Sequence, residues 1–218
     1  MQNDVFNRTH TSDQIIHDVT YNMVIGLVLC WGFVVNWFMV KTIAPESILQ
    51  FGFWPFIIFY FVCAFAGVMI FTKSEKPFFS FIGYNLVVVP FGLTVNISVS
   101  QYSPEIVQDA ILVTGFTTGL MMVLGSLYPK FFFKISGALG VALISVIIVE
   151  VVGAIFFNWS HGIMDYIVVV VFCGYIGYDW ARANSIPKTF DNAIDSAASI
   201  YMDIIILFTR ILRIMGRR

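Results

Sequence analysis

Apolar residues run through this chain in long blocks, broken at nearly regular intervals by short polar clusters. A helix that crosses a membrane needs about 20 mostly apolar residues to cover some 30 Å of hydrocarbon. Seven windows have that length: 19–40, 48–71, 78–100, 105–128, 133–157, 162–181 and 194–214. The breaks hold the charges and turn formers, with Lys41, Pro45 and Glu46 in the first and Lys73, Glu75, Lys76 and Pro77 in the second. Pro104, then Pro129 and Lys130, then the 158–161 stretch, then Arg182, Pro187 and Lys188 mark the others. Each break is short, so successive helices are expected to be antiparallel neighbours. No repeat or low-complexity tract interrupts them. The pattern predicts an all-α integral membrane protein, a seven-transmembrane-helix bundle forming a single membrane domain over residues 1–218.

Composition strengthens this reading. Charged residues make up 11% of the chain and hydrophobic ones 59%, whereas a soluble domain carries roughly a quarter charged residues to keep its surface wet. Lipid is the solvent that such a chain fits. A net charge of −1 offers no concentrated basic face and argues against a nucleic-acid partner. Cys30, Cys63 and Cys173 lie inside apolar runs without paired spacing, as apolar filler does. Residues Met1–Asp18 are polar and lack the basic start, apolar core and cleavage site of a secretory signal, so the first apolar segment is expected to be a retained span. Abundant phenylalanine reads as lipid-facing bulk.

Catalytic and cofactor patterns are missing. His10, His17 and His161 lie at or near segment ends and make no metal-binding spacing. There is no Gly-x-Ser-x-Gly elbow or phosphate-cradling glycine loop. The Asn-x-Ser/Thr triplets at Asn7, Asn96 and Asn158 are weak without a secretory context. Neither an enzyme nor a resident cofactor is expected.

Lysine and arginine in short loops orient a membrane protein. Arg8, Lys73, Lys76, Lys130, Lys134, Arg182 and Lys188 fall on the N-terminal side, and Lys41 stands alone among the opposite loops. A cytoplasmic N-terminus follows. Seven spans would then place Arg213, Arg217 and Arg218 outside, against the same rule. Either the earlier loops dominate or the last segment does not cross.

An aspartate in the middle of a membrane costs roughly 2.5–3.5 kcal/mol on insertion scales, so it needs a partner, a proton or water. The candidates are Glu150, Asp179, Asp195 and Asp203; Asp109 and Asp165 sit close enough to a boundary for interfacial solvation. Asp195, Ser199 and Asp203 recur every four residues on one face of the last helix, and Arg210 follows on much the same side. Ile200, Ile204, Ile205 and Leu212 occupy the other faces. Tyr175, Asp179 and Arg182 share a face of the preceding helix. Antiparallel packing could bring Asp179 and Asp203 together, and two such carboxylates cannot both ionise cheaply. The pair would hold one proton over a range extending towards neutral pH. The other reading is structural, with each aspartate paired to Arg182 or Arg210. Glu150 stands alone on its helix, as a proton or cation site in a pore or as a buried protonated acid.

Three stretches carry a resemblance: Gly177-Tyr178-Asp179, then Ala197 through Tyr201-Met202-Asp203 to Phe208, then Leu212 to Gly216. They resemble the transmembrane Bax-inhibitor motif (Bax inhibitor-1-like) family in its bacterial type. The 24-residue separation of the two aspartates, the helix count and the chain length also fit. The resemblance implies a bundle with the last helix central and a proton-sensitive calcium leak. In it Asp179 and Asp203 would be the pH sensor and the carboxylates that meet a passing Ca²⁺. Asp195, Ser199, Glu150, Arg182, Arg210 and Lys73 would be supporting polar or pore residues. Two departures stand out. Ile206 replaces the family's usual asparagine, and Lys73 stands near the position of a latch arginine, without the fork that suits a carboxylate pair.

Three function classes follow. One is a pH-gated Ca²⁺ leak whose partners are protons, Ca²⁺ and the bilayer. Another is a non-conducting regulator that binds a second membrane protein such as a protease. The third, an intramembrane aspartyl enzyme, lacks the Gly-x-Gly-Asp context. The short polar N-terminus suits a bacterial plasma membrane.

Overall fold

The structure, a computed structural model, describes residues 14–153, 156 and 162–217. Asn7, Arg8, His10, Asn158, His161, Arg218 and the last residues of the expected fifth span lie outside the described residues.

Proline sets half of the helix starts among the described residues. It lacks the N–H that a first helical turn leaves unpaired and already holds a helical φ, so it suits the first position. α2 (Pro45–Leu49), α4 (Pro77–Val99), α5 (Pro104–Leu127) and α6 (Pro129–Val152) all begin on one. α1 (Asp18–Thr42) begins instead on a side-chain cap, with His17 Nδ1 accepting from the Val19 N–H at 3.3 Å. α8 (Phe190–Met215) is capped by Thr189, whose hydroxyl oxygen accepts from the Asn192 N–H at 3.1 Å. α3 (Phe53–Lys73) and α7 (Gly162–Ala183) complete the order.

The second apolar window does not begin a span at 48. Residues 45–49 form the separate α2, and Gly52, at φ 81°, turns the chain before α3 starts. A side chain with a Cβ is strained at that φ, so glycine fixes the break there. α6 ends at Val152, and α8 begins four residues before the expected 194.

Among the described residues, six helices are long and apolar enough to cross a membrane: α1, α3 from Trp54, α4, α5, α6 and α7. α8 has the length, but Asp191, Asp195, Asp203, Arg210 and Arg213 lower its hydropathy. No residue of α8 from Asp191 to Met215 is exposed. It is a buried helix whose polar groups need protein partners.

The chain divides into two compact units, one of Met1–Gln101 with Ala183–Met202 and one of Tyr102–Arg182 with Asp203–Arg218. α8 therefore gives its first half to one unit and its second half to the other.

In the first unit α4 packs against α1 and α3. Gly67 and Gly83 bring α3 and α4 close enough that a Cβ on either would lie 2.6–2.7 Å from the other's carbonyl oxygen. The unit's core is polar as well as aromatic. Tyr84 donates to the Val28 carbonyl at 2.9 Å, Asn36 Nδ2 donates to the Tyr201 hydroxyl at 2.7 Å, and the Ser80 hydroxyl donates to Asp191 at 2.6 Å. Tyr21 and Ser196 share a hydrogen bond at 3.1 Å. These contacts tie the start of α8 to α1 and α4 without a charge facing lipid.

In the second unit Tyr128 alone joins α5 to α6. Gly125 on α5 lies against the Gly177 carbonyl of α7, and Gly174 and Gly177 admit Leu139 and Phe132 of α6. Trp180 Nε1 donates to the Ser126 hydroxyl at 2.8 Å. The end of α7 is thus clamped to α5 and α6 by small residues and one hydrogen bond.

Candidate functional site

Two polar clusters join α7 to the second half of α8 inside the second unit. The first is the carboxyl pair. Asp179 lies one turn before the end of α7, and Asp203 opens the second unit's share of α8. Their carboxyl groups lie close enough to interact directly. Asp203 is 7% exposed, and among the described residues no N–H or hydroxyl group reaches its Oδ2. An ionised carboxylate only accepts, so a bond between two carboxyls requires a proton on one of them. Arg182 lies one turn along α7 with its guanidinium 4.0 Å from Asp179 Oδ1. That is an ion-pair distance at the edge of contact, too long for a hydrogen bond.

The second cluster lies where α6 ends and α7 begins. Glu150 pairs with Arg210 through both carboxylate oxygens, the Nη2–Oε2 distance being 2.9 Å. Arg210 Nη1 also reaches Asp165 Oδ1 at 3.0 Å. Arg213 Nη2 meets the same oxygen at 2.9 Å, and Arg217 pairs with Asp165 Oδ2 and donates to the Gly162 carbonyl at 3.1 Å. The Asp165 side chain is fully buried. Arg210 and Arg213 fall at i and i+3 on one face of α8, and Arg217 follows two residues past its end.

Sequence expectations are met unevenly here. Asp179 and Asp203 do meet, and Arg210 pairs with neither of them. Glu150 is not alone, because Arg210 from 60 residues away holds it as an ion pair. Asp165 is not solvated at an interface but is the centre of three guanidiniums; its distance from the boundary hid the arginine face opposite. The spacing of Arg210, Arg213 and Arg217 was the signal that could have revealed it. Asp195 and Ser199 belong to the first unit, where the Ser199 hydroxyl donates to the Asp195 carbonyl at 3.3 Å. Lys73 ends α3, also in the first unit. Asp191, fully buried against Ser80, is a further polar group that the spacing argument passed over. Among the described residues no group of three or more His, Cys, Asp and Glu side chains could hold a metal ion.

Long apolar helices and acids buried between them define an α-helical integral membrane protein. The family model described as "Inhibitor of apoptosis-promoting Bax1" matches residues 14–218, and the chain belongs to that Bax inhibitor-1-like family. Comparison with curated proteins finds no match.

Proposed function

We propose that this protein is a pH-sensitive leak pathway for cations, calcium foremost, gated by the proton that Asp179 and Asp203 share. What supports the reading is the close approach of the Asp179 carboxyl on α7 and the Asp203 carboxyl on α8, both largely buried. With the proton in place the two helices are bonded. Without it, two like charges face each other in a medium of low effective dielectric, and the repulsion amounts to a few kcal/mol. That suffices to move a nearly balanced two-state packing. Calcium is the favoured cargo because it binds hard carboxylate oxygens. We assign the protein to a bacterial plasma membrane.

The test is Ca²⁺ flux into vesicles containing only the purified protein, across a pH series. The leak should be low in acid and rise as the pair loses its proton. Asp179→Asn and Asp203→Asn each supply a permanent amide donor in place of the proton. Each should hold the leak low and flat with pH. Wild-type titration in both variants would remove the gate. A wild-type protein that passes no Ca²⁺ at any pH would favour a non-conducting regulator of another membrane protein.

A further inference from the structure

The cluster of Glu150, Asp165, Arg210, Arg213 and Arg217 has no part in the proton gate, yet it is the most highly charged feature of the second unit. Among the described residues it contains three guanidiniums and two carboxylates, so its formal charge is +1. Asp165 is the deepest group and Arg213 and Arg217 the outermost, with Glu150, at 19%, slightly more exposed than Arg210. Side-chain exposure is nil at Asp165, 15% at Arg210, 31% at Arg213 and 40% at Arg217. A cation arriving from this end meets guanidiniums before any carboxylate. Arg213 Nε has no partner among the described residues, so its positive charge is only partly compensated.

The position matters as much as the sign. Glu150 is two residues from the end of α6, and Asp165 is the fourth residue of α7. Asp165 and Asp179 are 14 positions apart, about 21 Å of helix, so the cluster and the carboxyl pair mark opposite ends of α7. An ion that passes the pair and continues along α7 and α8 leaves the unit beside the cluster. The guanidiniums cannot swing aside freely, because each is held by a carboxylate. Arginine also keeps its charge at any pH a protein survives.

We propose that this cluster is an electrostatic barrier at the far end of the pathway, and that Arg213 and Arg217 limit the passage of divalent cations through it. The proposal rests on the leak reading above. It makes the two ends of the unit different in kind: a titratable gate at the Asp179 end and a fixed positive collar at the Asp165 end. Coulomb energy scales with the charge of the ion, so a fixed collar slows Ca²⁺ more than K⁺. Removing one positive charge should change the Ca²⁺ rate by about the square of its effect on the K⁺ rate.

Arg217→Gln and Arg213→Gln test this, each leaving Asp165 with two arginines so that the fold keeps its buried ion pairs. Ca²⁺ and K⁺ fluxes are measured with the full chain in vesicles, at a pH where the wild type leaks. Each variant should raise the Ca²⁺ leak roughly three- to tenfold and the K⁺ leak by about the square root of that factor. The pH response set by Asp179 and Asp203 should remain. Unchanged rates, or equal increases for the two ions, would overturn the barrier while leaving the proton gate intact. Glu150→Gln adds a sign check: it makes the cluster more positive and should slow Ca²⁺, whereas a faster Ca²⁺ leak would show a mechanical clamp instead. A wild type without any leak would take down both readings.

Discussion

Gly177 lies under the ring of Phe132, and the Gly125 backbone meets the Gly177 carbonyl on its other side. A Cβ at Gly125 would come within 2.6 Å of that oxygen, a backbone atom with no freedom to withdraw. Overpacking of this kind costs about 1–3 kcal/mol. Gly125→Ala and Gly177→Ala should each lower the thermal unfolding midpoint of the detergent-solubilised protein. Gly137→Ala, with open space around its Cβ, should leave the midpoint unchanged or raise it through helix propensity. Equal midpoints in all three would mean that α5, α6 and α7 do not pack through these glycines. Single residues also mark the limits of sequence reading. Asp179 and Asp203 were legible because carboxylates that deep in apolar helices demand an explanation. Asp165 was misread because three residues into a helix looked close enough to water. Its burial depends on Arg210, Arg213 and Arg217, and spacing within α7 carries no trace of them.

Helices as elements were more legible than their partners. The proline at the start of α4, α5 and α6 stands in the sequence, and so does the apolar run behind it. α2 was not separable, because Ile48, Leu49, Phe51, Phe53 and Trp54 carry the apolar run past Gln50, and only the backbone turn at Gly52 divides it. Which helix ends need tying is equally invisible in the pattern. Asn96 of α4 is buried and points its amide at the end of α1, donating to the Met39 carbonyl at 3.0 Å and the Ile43 carbonyl at 2.9 Å. The Met39 carbonyl also accepts from the Ile43 N–H, but the Ile43 carbonyl at the helix end has no partner inside the helix, and a buried one left unmatched costs about 1–3 kcal/mol. Asn96→Ala should destabilise the protein by that amount in denaturant or thermal unfolding. Asn96→Asp should cost more, since a carboxylate oxygen would then face two carbonyl oxygens. An Asp variant as stable as the parent would show that the amide contributes nothing to holding α1.

At the scale of the whole molecule, α8 poses the remaining question. Its charged residues make it less apolar than the six other long helices among the described residues, and its C-terminal arginines argue against an outside C-terminus by the loop-charge rule. Both objections weaken once the charges are placed. Asp191 meets Ser80, Asp203 meets Asp179, and Arg210 and Arg213 meet Glu150 or Asp165. None is offered to lipid, so the insertion cost of each is largely met by a partner. The arginines are likewise held in ion pairs at the ends of α6 and α7 rather than free to select a membrane face. The 26 residues of α8 extend about 39 Å as a helix, more than the hydrocarbon thickness. α8 should therefore cross, with Ser185 and the C-terminus on opposite sides. A cysteine at Ser185 and a cysteine appended beyond Arg218 can be labelled with an impermeant maleimide on intact and then permeabilised cells. Opposite patterns are expected, with the appended site reactive from outside. Protection of both until permeabilisation would place the last helix on one side of the membrane, and the barrier assigned to Arg213 and Arg217 would then face no outward path.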